Sequence, residues 1–186
     1  MNMAMYFRIL LPPVELTSVT SLRVKSVIFL RGFALLALMG LASASHGDSF
    51  KPFTTVTFAE IKQQYQNSEF LLGLWSVDCP PCLVELDLMG DLLEKNPDLP
   101  FVLISTDSIE DRELALEFLE DSGLDERESY MFADSFTERL RFSIDPGWYG
   151  ELPRSYFFDF QHNKQSHSGL MSIELLSKWF SKPLKY

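Results

Sequence analysis

The segment from Leu74 to Leu86, LWSVDCPPCLVEL, holds Cys79 and Cys82, the two cysteines of a 186-residue chain. Two patterns meet in it. An unbroken apolar run that starts at Phe70 ends at Trp75, and from Pro80 onward Leu83, Leu86, Leu92 and Leu93 recur at helical spacing. A strand therefore gives way to a helix at the cysteines. A C-x-x-C at such a junction is open to three readings: a redox pair, half of a metal site, or a structural staple.

A structural zinc ion needs four ligands, and besides the two cysteines the chain offers only His46, His162, His167 and carboxylates. His46 lies at the expected cleavage junction, His162 in a hairpin turn and His167 at a strand end, so no metal site is expected. A staple is disfavoured because the loop it would close is too short to restrict the unfolded chain. The redox reading fits the local chemistry. The first sulfur of the pair sits at a helix N-terminus, where unpaired N–H groups favour a thiolate, and the second lies one turn inside, where it can attack a mixed disulfide. Cys79 is then the nucleophile and Cys82 the resolving thiol.

Working outward, the chain is 46% hydrophobic, enough for a core, and carries a net charge of −10. The first 44 residues hold Arg8, Arg23, Lys25 and Arg31 against Glu15, which leaves 12 bases and 25 acids downstream, a net of −13. Such a body repels phosphate backbones and anionic headgroups, which argues against nucleic acid as a partner.

Residues 1–44 read as a leader. Arg23, Lys25 and Arg31 precede the apolar run Phe33 to Leu41, and Ala42-Ser43-Ala44 supplies a small-x-small cleavage pattern. A signal peptide cleaved near Ala44 is expected, with export to the periplasm or another extracytoplasmic space. The alternative is an uncleaved anchor over Val27 to Ala44, the only way the chain would hold to a membrane. No cysteine near the cleavage point serves a lipoprotein. Residues 1–22 exceed what a basic n-region needs, and translation is expected to start later, near the Leu22 or Val24 codon.

From about residue 50 to 186 neither a repeat nor a linker divides the chain, so one domain is expected. Strands are predicted at Thr54–Thr57, Phe70–Trp75, Phe101–Thr106, Tyr130–Ala133, Ser155–Phe160 and Gln165–Gly169, the last two joined by a turn at His162-Asn163-Lys164. Helices are predicted at Phe58–Gln66, Pro80–Lys95, Ile109–Ser122 and Ile173–Phe180, with another after the fourth strand. In the third, Ser108 and Asp111 make a capping-box pattern, Gly123 is the stop, and Leu114, Phe118 and either Leu119 or Ala115 face inward; Ser172 caps the last. Two parallel crossovers followed by a hairpin imply an α/β domain, a mixed central sheet with helices on both faces. Sites in such sheets form at the carboxyl ends of the parallel strands, where Cys79 falls.

Trp75-x-x-x-Cys79-Pro80-Pro81-Cys82-x-x-Glu85, the strand and acidic turn FVLISTDS, and Leu152-Pro153 opening RSYFFDF together resemble the TlpA/ResA-like group of exported thiol:disulfide oxidoreductases. The resemblance covers about residues 53 to 182. It implies a thioredoxin-like fold and disulfide exchange with protein partners through a CPPC pair. It also implies a cis proline at Pro153 whose loop lies against the cysteines and pairs with substrate backbone, and an envelope electron donor or acceptor. No dissociable cofactor is implied, since Cys79 and Cys82 carry the electrons. The alternative is an exported thioredoxin-fold copper(I) metallochaperone using the same two thiolates.

Three departures from the family pattern stand out. Asp78 replaces a frequent tryptophan, Gly73 replaces the buried acid of thioredoxin, and Arg154 follows the candidate cis proline where threonine is frequent. Asp78 disfavours a neighbouring thiolate, and Pro80 and Pro81 remove two backbone donors. Arg154 pulls the other way if its loop lies against Cys79. A mild, reducing-leaning pair is expected. Glu85, one turn after Cys82, is either a proton shuttle replacing the missing acid or a solvated helix carboxylate. Trp148, in the DPGWYGE segment before Pro153, is either a substrate-facing lip or an aromatic packed on the domain. With Pro80, Pro81, Leu152 and Arg154 it completes the expected substrate-binding set.

Overall fold

A computed structural model describes residues 50–185. The expected leader, its cleavage point, the possible anchor and the alternative start lie outside the described residues. Among those described, no helix is long and apolar enough to cross a membrane.

The chain runs β1 (Lys51–Phe53), α1 (Thr57–Gln64), β2 (Phe70–Trp75), α2 (Pro80–Lys95), β3 (Phe101–Ser105), α3 (Arg112–Asp121), β4 (Ser129–Phe132), α4 (Thr137–Ile144), β5 (Arg154–Phe158), β6 (Lys164–Ser168) and α5 (Ile173–Trp179). The strands form a six-stranded sheet in the order β1-β4-β3-β2-β5-β6. The pairs β1/β4, β4/β3 and β3/β2 are parallel, whereas β5 runs antiparallel to both β2 and β6.

Every residue of β2 is buried, because this central strand is covered on both faces. Its alternation divides the core. Leu71 and Trp75 pack with Leu86 and Leu93 of α2, Ala115 and Leu119 of α3, and Leu176 of α5. Phe70, Leu72 and Leu74 pack with Phe58 and Ile61 of α1 and Leu140 and Ile144 of α4. The mixed sheet with helices on both faces is as expected, and it fixes a two-residue code: odd positions of β2 face α2, even positions face α1 and α4.

Element boundaries depart from the sequence reading where side chains compete for backbone groups. The first strand is Lys51–Phe53 rather than Thr54–Thr57. The Thr57 hydroxyl accepts the Thr54 N–H at 3.0 Å while Thr57 N–H bonds Thr54 O at 3.2 Å, a turn that starts α1 instead of extending a ladder. Strand β5 stops at Phe158 because the Asp159 carboxylate accepts N–H groups from Gln161 and Asn163 at 2.9 and 2.8 Å. The Ser108 capping box does not form. Its hydroxyl donates to the carboxylates of Glu110 and Asp111, and residues 109–111 make a 3₁₀ turn before α3. Of the positions expected to face inward in α3, Ala115 and Leu119 are both buried and Phe118 is half-buried, whereas Leu114 is exposed. The stop at Gly123 is real: its φ of 66° lets Leu124 N–H reach Leu119 O at 2.7 Å. Ser172 caps α5 by accepting Leu175 N–H at 3.2 Å.

Helices α2 and α3 approach closely at Gly90, where a Cβ would lie 1.9 Å from the Ser122 carbonyl oxygen. The glycine is thus required by packing, although it lowers intrinsic helix propensity.

Candidate redox site

Strand β2 ends at Trp75 and α2 begins at Pro80, so Cys79 becomes the helix N-cap in an extended conformation, φ −114° and ψ 90°. Proline suits the first helical positions, where a missing N–H costs no helical bond. Cys79 O accepts Cys82 N–H at 2.8 Å. Cys79 and Cys82 are joined by a disulfide with a Cα–Cα distance of 5.2 Å. The two sulfurs are not equivalent, for Cys79 is half-buried and Cys82 is fully buried. Cys79 is thus the member of the pair that solvent reaches. Pro80, Pro81 and Asp78 are exposed around it. With prolines at the first two helical positions and Cys82 N–H already bonded, the helix start keeps few free donors for a Cys79 thiolate.

Pro153 arrives at the pair through sheet register. In the antiparallel β2/β5 ladder Arg154 faces Leu74 and Ser155 faces Gly73, so Pro153 comes level with the end of β2. The Leu152–Pro153 peptide is cis, as the resemblance implies. A cavity of about 10 Å³ brings together Gly73, Trp75, Cys82, Glu85 and Pro153. That space holds at most one water. Pro153 O is taken by Gly169 N–H at 2.9 Å.

Glu85 is not a solvated carboxylate: it is 6% exposed. It accepts the Ser155 hydroxyl at 3.1 Å and the Met171 backbone N–H at 3.1 Å, one oxygen for each. Burial pushes its carboxyl above the ordinary value, opposed by the Met171 and Ser155 donors and by His167. Helical spacing points Glu85 to the same side as Cys82, and both line the small cavity with Gly73.

Arg154 goes elsewhere. Alternation along β5 sends Ser155 toward α2 and Arg154, like Tyr156, to the opposite face. There its guanidinium lies 3.7 Å from Asp145, 3.4 Å from Glu151 and 4.9 Å from the Tyr156 ring centre. The positive charge that would favour a Cys79 thiolate if it lay beside it is thus held by carboxylates on the other face of the sheet. Trp148 is also core: it is 3% exposed, packs in the α1/α4 cluster, and donates from Nε1 to Glu151 O at 2.9 Å. The aromatic that faces solvent in this loop is Tyr149, 87% exposed. Leu152 is half-buried and touches both halves of the core.

Sequence reasoning missed Ser155 and Met171, which hold Glu85 across 70 and 86 residues. No local pattern announces such partners. It noted the acidic turn after β3 without giving it a role, although Asp107 there accepts Val77 N–H at 3.0 Å, directly before the redox pair.

No protein-family model matches the chain, and no curated protein matches it. Among solved structures it is similar to a secreted Mycobacterium tuberculosis disulfide oxidoreductase homologous to E. coli DsbE, at TM-score 0.51 and 21% identity, covering 62% of this chain and 82% of that one. It is also similar to a thioredoxin-family thiol:disulfide interchange protein from Chlorobium tepidum TLS, at TM-score 0.50 and 19% identity, covering 63% of this chain and 80% of that one. The fold is thioredoxin-like, and its structural neighbours are thiol:disulfide oxidoreductases.

Proposed function

We propose that the protein is an exported thiol:disulfide oxidoreductase that exchanges disulfides with protein partners through Cys79 and Cys82. The observation that carries this reading is the asymmetry of the pair: one sulfur is accessible at a helix start, and the other is buried in a cavity shared with Glu85 and Pro153. The leader sequence supports an extracytoplasmic location.

In the reducing direction the Cys79 thiolate attacks a client disulfide. A Cys79–client disulfide forms, and the first client sulfur leaves as a thiolate that takes a proton. Glu85 accepts the Cys82 proton, and the Cys82 thiolate then attacks Cys79 Sγ, which releases the second client sulfur. Two electrons pass from the protein dithiol to the client disulfide. Hydrogen bonds among the described residues leave the Leu152 backbone unengaged, so it can pair with an extended client chain beside Cys79. Pro80, Pro81 and Leu152 give this approach an apolar surface. Partners on this reading are thiol proteins and an envelope electron donor or acceptor.

The pair leans toward the reducing side, because Asp78 and the two prolines withhold stabilisation from the Cys79 thiolate, and Arg154 faces away. A measured potential near the oxidase end of the scale, roughly −120 mV, would contradict this. Dithiothreitol-driven insulin reduction tests the function, with Cys79→Ser as the inactive control and Cys82→Ser to trap mixed disulfides. Absence of Cys79-dependent reduction together with tight copper(I) binding would replace this reading by the metallochaperone one.

A further inference from the structure

The loop between β2 and α2 is tied to the end of β3 by one side chain. Asp107, half-buried, accepts hydrogen bonds from the Ser76 hydroxyl at 2.6 Å, the Ser105 hydroxyl at 2.7 Å and the Val77 N–H at 3.0 Å. Its own N–H donates to Ser105 Oγ at 3.1 Å. Ser76 passes the restraint forward: its Oγ accepts Asp78 N–H at 3.2 Å, and its carbonyl accepts Cys79 N–H at 3.2 Å. A continuous hydrogen-bonded path thus runs from a buried strand to the N-cap sulfur residue. The two oxygens of one carboxyl group have lone pairs enough to accept from all three donors at once.

We propose that Asp107 is a positioning residue for Cys79, holding residues 76–78 so that the Cys79 sulfur meets an incoming disulfide in line. The proposal rests on the redox function given above and adds a residue that neither the C-x-x-C pattern nor the cis-proline loop includes. The geometry suits this role because Cys79 itself has no side-chain cap, so its placement depends on the loop before it. Trp75 O is meanwhile held by Thr106 N–H at 2.9 Å, which joins the same two loops one residue earlier on each side.

The test is single-turnover reduction of insulin by the pre-reduced protein, at a pH above the Cys79 midpoint of every variant so that all are thiolates. Asp107→Ala is expected to slow the reaction about tenfold, the effect of misplacing a reacting group. Ser76→Ala is expected to slow it in the same direction. Asp107→Asn recovers most of the rate, since its carbonyl still accepts Val77 N–H and its amide can donate to a serine oxygen. Melting of the reduced forms shows which variants are folded, and if Asp107→Ala is not, Ser76→Ala and Asp107→Asn decide. Wild-type rates in Asp107→Ala and Ser76→Ala, with Cys79→Ser inactive, overturn the positioning role and leave the function intact. A wild-type protein without Cys79-dependent rate removes the function and this role together.

Discussion

Ser155 donates its hydroxyl to Glu85 Oε1 at 3.1 Å, joining the strand that follows Pro153 to the helix that carries Cys82. The two residues lie 70 positions apart and meet because β5 pairs with β2 in a register that sets Ser155 opposite Gly73. The small hydroxyl on β5 thereby gives a buried carboxyl on the neighbouring helix one of its two donors.

Glu85→Gln separates proton transfer from packing. Burial raises the Glu85 carboxyl above the ordinary value of 4.5, so the folded state binds its proton more tightly than the unfolded one. The stability tied to this group is full below 4.5 and is lost as pH rises through the raised folded value. Relative to wild type, Glu85→Gln is therefore expected to melt higher at neutral pH than in acid. Its disulfide exchange should also lose the pH step that wild type shows. An unchanged exchange profile would confine Glu85 to a packing role.

Glu128 has the opposite sign. Burial pushes its carboxyl up, but the Lys51, Tyr130 and Tyr65 donors outweigh this and hold it below the usual value of 4.5. Its stabilisation is present above 4.5 and is lost as pH falls through the lowered folded value. Lys51 Nζ and Tyr130 Oη lie 2.8 Å from one oxygen, and Tyr65 Oη lies 3.1 Å from the other, which pins α1 and the edge strand β1 to β4. Glu128→Gln is expected to cost about 1–3 kcal/mol in neutral denaturant titrations, and less in acid.

Replacing Arg154 by Thr tests which face of the sheet it serves. With the guanidinium held by Asp145 and Glu151, the expected result is a loss of about 2 kcal/mol of stability and an unchanged reduction potential. A potential that became markedly more negative would show that the charge reaches Cys79 after all.

Asp78→Trp removes an exposed negative charge next to Cys79 and is expected to make the pair more oxidising, read by equilibration with glutathione. An equal or more reducing potential would mean that the prolines alone set the balance.

Gly90→Ala places a methyl group 1.9 Å from the Ser122 carbonyl oxygen, so backbone must move. A cost of about 1–3 kcal/mol is expected by thermal or chemical melting, against the gain that alanine gives in an unconstrained helix.

Much of this molecule is legible in one dimension. The apolar run Phe70–Trp75, the helical spacing after Pro80 and the C-x-x-C between them fix a strand, a helix and a redox pair at their junction, because hydrophobic periodicity and helix-start chemistry are local. Cys79 as the outer sulfur and Cys82 as the inner one follow from the same spacing. Strand ends were less legible: at Thr54–Thr57 and at Asp159 a side chain competes with the ladder for backbone groups, and propensity does not record the winner.

What only the tertiary structure decided is direction. One residue of register in β5 turns Ser155 toward Glu85 and Arg154 to the other face, a choice on which the sequence reading made the effect of the charge depend. Trp148 and Tyr149 are neighbours in a glycine-flanked loop, yet one is core and the other is solvent-facing. Glu85 could be read from its spacing as lying near Cys82, but its burial and its two donors come from segments more than sixty residues away. For Arg154 and Glu85 the physical reason is shared. Sequence periodicity tells which residues share a face, and sheet register decides what that face meets.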